Sequence, residues 1–246
     1  MSTQYANGKI VNSGLVLALD AGDRNSYAGS GTVWTDISGN GNDGTLINGP
    51  TFNSSYNGGI EQDGSDDYIT VPYKPSLAFP GNTPFSFQIV FRNKSMKGNF
   101  AAIISFGEQD SGNIGGFQMK CFYSSIYTGP YGAIGIDRYS GVNGFLSGVG
   151  YNYSSSLESL STTVWTYTYD SLSGAKGYRN GVLFQSTSST GSAATPSTGP
   201  FTIGTRAGVP SRVTNSIINS LLIYNRTLTD EEVVQNYNTQ KSRFGL

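Results

Sequence analysis

Phe85, Phe87, Ile89 and Phe91 alternate along the chain with Ser86, Gln88, Val90 and Arg92, and Trp165, Tyr167 and Tyr169 alternate with Thr166, Thr168 and Asp170. In an extended chain successive side chains point to opposite sides, so a period of two held this long specifies strands with one apolar face. Such a face has to be covered by another layer, and the rest of the chain must supply it. Shorter strand candidates surround these two: 14–20, 67–71 (stopped by Pro72), 101–106, 116–123, 133–137, 201–204 and 216–224.

The intervening segments carry turn chemistry. From 23 to 57, Gly29, Gly31, Gly39, Gly41, Gly44 and Gly49 stand among Asn and Asp, as successive tight turns require, with room for a short strand at 45–47. Asn180-Gly181 suits the positive φ angles of a two-residue turn and predicts a hairpin over 178–184. The Ser/Thr/Gly/Ala run 186–197 reads as a surface loop. Only 229–237 has a helical signature: Thr229 and Glu232 form a capping box, acids fill the first turn, and Val233, Val234 and Tyr237 make an apolar face. The expectation is an all-β, two-sheet antiparallel sandwich with one short C-terminal helix. It forms one domain over 14–240, with an N-terminal arm 1–13 and a C-terminal tail 241–246.

Charge excludes several partners. Fifteen Lys and Arg against 16 Asp and Glu, scattered singly, give a net charge of -1 and no basic stripe, which argues against nucleic acid and anionic membranes. No apolar run reaches the ~20 residues a membrane span needs, and the N-terminus lacks the pattern of a signal peptide. Histidine is absent, removing the commonest metal ligand and general base, so zinc sites and Ser-His-Asp systems are not expected. Cys121, the one cysteine, lies between strand-like neighbours Met119 and Phe122 and is read as a packed or half-packed thiol.

Four ordered segments resemble the concanavalin A-like lectin/glucanase superfamily in its laminin G-like branch. They are Asp-Ile-Ser-Gly-Asn-Gly-Asn-Asp-Gly at 36–44, Asp-Gly-Ser-Asp-Asp-Tyr-Ile at 63–69, Trp-Thr-Tyr-Thr-Tyr-Asp at 165–170 with Tyr-Arg-Asn-Gly-Val at 178–182, and Leu-Ile-Tyr-Asn-Arg-Thr-Leu-Thr-Asp-Glu-Glu at 222–232. The resemblance implies a jelly roll with loops at the rim of a concave face. The opening run 14–22, continued through 27–39, is further similar to laminin G-like domains in structural proteins of tailed bacteriophages. That similarity implies a virion protein at the particle surface, as capsid decoration or a tail or neck appendage, binding other virion proteins or a cell-surface glycan. A homo-oligomer is compatible with this reading. The alternatives are a free-standing microbial carbohydrate-binding or adhesion domain and a divergent glycoside hydrolase.

Retaining glycanases of the superfamily resemble one another in a Glu-x-Asp-x-Glu run, which sets two carboxylates ~5 Å apart across a sugar bond. Here Glu108-Gln109-Asp110-Ser111 is followed by Gly112 in place of the second glutamate, so a non-catalytic chain is expected. Calcium is the one cofactor the resemblance suggests, with Asp36 and Asp63 as candidate ligands. Pentraxin-like relatives are similar in an acidic run before the last core strand, where this chain has Arg206. A sugar offers an apolar face and a ring of hydroxyls, so an aromatic platform beside amides suits it. The candidates are Tyr123, Tyr127, Tyr131, Tyr139, Asn143, Tyr151, Asn152 and Tyr153.

Overall fold

The computed structural model describes residues 4–5, 8–79, 83–95, 101–106, 115–123, 132–140, 145–149, 161–188, 199–206 and 209–246. The chain opens with β1 (Gln4–Tyr5) and β2 (Gly8–Lys9), then β3 (Leu15–Asp20), β4 (Val33–Trp34), β5 (Gly44–Ile47), β6 (Thr51–Asn53), β7 (Gly59–Glu61) and β8 (Tyr68–Val71). Its middle holds β9 (Phe85–Ser95), β10 (Ala101–Phe106), β11 (Gly115–Tyr123), β12 (Gly132–Ser140) and β13 (Phe145–Val149). The last part adds β14 (Thr162–Asp170), β15 (Gly174–Arg179), β16 (Val182–Thr187), β17 (Phe201–Ile203), β18 (Thr205–Arg206), β19 (Val209–Val213), β20 (Asn215–Tyr224) and helix α1 (Asp230–Lys241).

Two antiparallel sheets carry the fold. One runs β13-β12-β11-β10-β17-β8-β5-β4, and the other β16-β15-β14-β9-β20-β7-β6 with β3 also on β20. The long alternating segments are neighbours in the second sheet, Trp165 opposite Ile89 and Tyr167 opposite Phe87. Their inward residues meet Ile69, Val71, Ile104, Phe106, Phe201 and Ile203 of the first sheet in one continuous core. Fully buried Gln62 links the layers: its Nε2 donates to the Ile203 carbonyl at 3.2 Å, and its Oε1 accepts from Thr214 and Ser216, both at 3.0 Å.

The hairpin forms as expected, with Asn180 and Gly181 at φ 50° and 75°. The turn-rich stretch 23–57 holds more strand than its composition suggests. Besides β5 it supplies β4 and β6, each too short to show a periodicity of its own.

The alternation does not mean that the second face of the sheet meets water. Ser86, Gln88 and Val90, the outward residues of β9, are buried along with Thr166 and Val164 of β14. Helix α1 and the chain ends lie over them. Ile10, Val11, Leu222, Tyr224, Leu228 and Val233 form one apolar cluster on this outer face, and Val90, Val164 and Phe244 another. The segments read as arm and tail thus contribute Ile10, Val11 and Phe244 to packing. Asn236 of the helix accepts from the Val11 amide at 2.8 Å and donates to the Tyr224 hydroxyl at 3.0 Å. No helix among the described residues is long and apolar enough to cross a membrane.

Candidate functional site

Of the tyrosine and asparagine candidates, Tyr127, Tyr131, Asn143, Tyr151, Asn152 and Tyr153 lie outside the described residues, as do Glu108 and Asp110. Tyr123 and Tyr139 fall on β11 and β12. Tyr123 is opposite Gly132 and Tyr139 is opposite Gly116, at the two ends of one ladder. At about 3.3 Å per residue that separates their backbones by roughly 20 Å, so the two do not share a site.

Asp36 is committed to its own turn. Its Oδ1 accepts from the Ala18 amide at 2.9 Å and the Ser38 amide at 2.9 Å, and its Oδ2 from the Ser38 hydroxyl at 2.8 Å and the Asn42 amide at 2.9 Å. With the residue 6% exposed, these four donors take up the carboxylate that a cation would need. Asp36 organises the loop that returns from β4 to β5.

Asp63 sits differently. It lies with Asp66 and Asp67 in a turn where the three carboxylates approach within 4.8 Å of one another. Asp63 and Asp66 are exposed and Asp67 is buried. Burial pushes the Asp67 carboxyl up, its neighbours' charges add to that, and the hydrogen bond from the Asp63 amide opposes it. An all-oxygen donor set of this kind fits a hard cation such as calcium, which Asp63, Asp66 and Asp67 would hold.

The described residues also form an open cleft of about 390 Å³ where the outer face of the second sheet meets the start of α1. Thr168 and Asp170 come from the end of β14, Gly174 and Lys176 from β15, and Thr227, Thr229, Asp230 and Glu231 from the approach to the helix. Local chemistry fixes each wall. Thr227 donates to the Tyr169 carbonyl at 2.7 Å, Ser86 donates to the Arg226 carbonyl at 3.0 Å, and the Leu228 amide donates to Ser86 at 2.9 Å, pinning 226–228 across β9 and β14. The helix then starts on the predicted capping box: Thr229 caps the Glu232 amide and Glu232 reaches back to the Thr229 amide. Arg226 holds Glu232 with two bonds of 2.7 and 2.6 Å.

Across the cleft mouth Lys176 Nζ meets Asp230 Oδ1 at 2.7 Å, and the Tyr178 hydroxyl donates to the same oxygen at 2.6 Å. Those two bonds hold the Asp230 carboxyl below its usual range. Burial, then the bond to Asp230, pushes the Tyr178 hydroxyl well up, so it stays a donor. Bonding to Arg226 likewise lowers Glu232, and the Leu172 and Ser173 amides lower Asp170. The wall therefore presents hydroxyls, an ammonium and a fixed carboxylate. Sequence reasoning marked the capping box and the alternation of Thr168 and Asp170, but not that 168–176 and 227–231 meet.

Acid should undo this corner first. Groups whose folded pKa is depressed contribute stability above their unfolded value of about 4, and lose it as pH falls through the lower folded value. Asp170, Asp230 and Glu232 all act in that sense. Asp67 acts in the opposite sense, contributing below about pH 4 and losing it as pH rises. The Tm is expected to fall on acidification below about pH 4, with a shallower fall in a D230N/E232Q double variant. Parallel pH profiles for the two proteins would overturn this assignment.

The profile of the concanavalin A-like lectin/glucanases superfamily, in a laminin G-like form, matches residues 63–234, and the chain belongs to that superfamily. Among solved structures it is similar to the binding domain of Paraclostridial Mosquitocidal Protein 1, with a TM-score of 0.69 and 16% identity over 92% of this chain and 52% of that one. The botulinum neurotoxin serotype G binding domain gives a TM-score of 0.70 and 20% identity over 93% and 51%. The botulinum neurotoxin serotype D ligand-binding domain, solved in complex with N-acetylneuraminic acid, gives 0.70 and 19% over 94% and 52%. The chain spans about half the length of these domains, and the likeness establishes the shared fold. No curated protein is a significant match.

Proposed function

We propose that this chain is a non-catalytic recognition module whose ligand is a glycan. The observation that carries the reading is the cleft, with hydroxyls of Thr168, Ser173, Thr227 and Thr229 around the Lys176–Asp230 pair. Its size lies within the roughly 300–1,000 Å³ of small-ligand sites. Its mixture of hydroxyl, ammonium and carboxylate can both donate to and accept from sugar hydroxyls. The names of the three structural neighbours given above, each a binding or ligand-binding domain, support recognition over hydrolysis.

Two settings fit such a module. In the first it is a virion component, capsid decoration or a tail or neck appendage, joining a viral partner or a host glycan at the particle surface. The support is the likeness of 14–39 to phage laminin G-like domains. In the second it is a microbial carbohydrate-binding or adhesion module. The support is the fold shared with toxin binding domains about twice its length.

A glycan array probed with the whole chain tests the reading. The expected result is saturable binding that weakens roughly tenfold in a K176A variant, about the value of one charged hydrogen bond. Retention in chelator would assign the site to the cleft, and loss in chelator to Asp63, Asp66 and Asp67. Silence across the array would overturn the glycan reading.

A further inference from the structure

The turn between β6 and β7 is backbone-strained at an exposed residue. Tyr56 has φ 58° and ψ 31°, and Asn57 and Gly58 follow at φ 60° and 91°, three residues of positive φ in succession. Glycine takes that conformation freely and asparagine tolerates it, but a bulky aromatic residue rarely does. The surrounding structure enforces it. Asn219, fully buried in β20, donates to the carbonyls of both Tyr56 and Gly58, at 3.2 and 2.8 Å. The Asn57 side chain donates to the Arg243 carbonyl, and Gly58 packs on Gly22 so closely that a Cβ there would lie 2.7 Å from the Gly22 Cα. Residues held in such conformations cluster at functional sites, and the outlier at Tyr56 directs attention to what the turn presents.

What the turn presents is a tyrosine 41% exposed, with the Arg92 guanidinium over its ring 4.1 Å from the centroid. Arg92 lies in a cross-strand row in which Ile217 pairs with both Arg92 and Glu61. Glu61 is the carboxylate of that row, and Lys94 and Asn53 already engage it. Among the described residues, Arg92 therefore has the tyrosine ring and no counter-charge. The corner combines an apolar ring, a guanidinium fork and an ammonium already neutralised by Glu61.

We propose that Tyr56 and Arg92 form a second site, for a saccharide bearing a carboxylate. The apolar face of the sugar ring lies on the free side of Tyr56, and the planar fork of Arg92 takes the carboxylate in two parallel bonds. The site lies on the same outer sheet face as the cleft but at its far end. Arg92 pairs with Thr162 and Ser86 with Thr168, six residues along β14, or roughly 20 Å. The proposal rests on the reading of this chain as a glycan-binding module and adds a place and a charge to it.

The test titrates the whole chain and four variants with oligosaccharides ending in a sialic or glucuronic acid and with neutral counterparts. R92Q should weaken the acidic ligands on the order of ten- to a hundredfold, as the loss of a charge-assisted pair implies, and leave neutral ones unchanged. Y56G should weaken them about as much while its Tm stays level or rises, because glycine releases the strain. Y56F should bind as the parent does, and K176A should leave the acidic ligands in place. If acidic binding survives R92Q and Y56G but falls in K176A, or if only neutral sugars bind, the second site is wrong and the glycan reading stands. If no sugar of either kind binds, both fall.

Discussion

Replacing Gly204 with alanine is expected to cost about 3–5 kcal/mol and lower the Tm by about 10 °C. Gly204 has φ +86°, where a Cβ costs roughly 1–2 kcal/mol on its own. A Cβ built there lies 1.6 Å from Gln62 Nε2. Gln62 cannot swing aside without giving up its bonds to the Ile203 carbonyl and to the Thr214 and Ser216 hydroxyls, which keep only each other and the Gly204 carbonyl, and a buried amide that loses its partners costs about 1–3 kcal/mol. The backbone is equally fixed, since the Gly204 amide donates to Ile103 and its carbonyl accepts from Thr214, both at 2.8 Å. Gly31 is the control: its φ is +90° and nothing lies within 4 Å, so G31A should show only the conformational cost. Chemical denaturation of both variants measures the difference. Equal losses would show that Gln62 does not lock the two sheets.

The second large effect is expected from Asp36→Ala, at about 3 kcal/mol or more. The substitution strands the amides of Ala18 and Asn42, both in buried residues, and removes the acceptor that closes the β4–β5 loop. Added calcium should not restore the loss, because the carboxylate serves backbone donors. Asp63→Asn should move stability by less than about 0.5 kcal/mol, since the Ser65 amide keeps an oxygen acceptor at an exposed residue. Rescue of D36A by calcium would reverse the assignment and place a cation at Asp36.

Those two residues show why the fold was more legible than the site. Local periodicity and turn chemistry are written in neighbouring residues, so β9, β14, the Asn180-Gly181 hairpin and the Thr229 capping box could be read directly. The outer face could not. Ser86 and Gln88 have the polarity of solvent-facing strand residues, and only the path of the chain through 226–244 shows that they are covered. Asp36 in a Gly/Asn-rich turn has the composition of a calcium loop and of a plain turn alike, and the difference lies in Ala18, 18 residues away. The cleft joins 168–176 to 227–231, and the Tyr56 turn depends on Asn219 and Arg243. Such contacts leave no spacing in the sequence. The one local signal at the second site was a tyrosine in an Asn-Gly-rich turn, and its meaning came from a φ angle.

Recognition of sugar on the outer face of the second sheet is tested most directly by backbone amide shifts of the whole chain during titration with neutral and carboxylated oligosaccharides. The account predicts saturable shifts confined to two regions, around Thr168, Lys176 and Asp230 for the neutral sugars and around Tyr56 and Arg92 for the acidic ones. Unchanged spectra, or saturable shifts restricted to β11, β12 and β13, would contradict it.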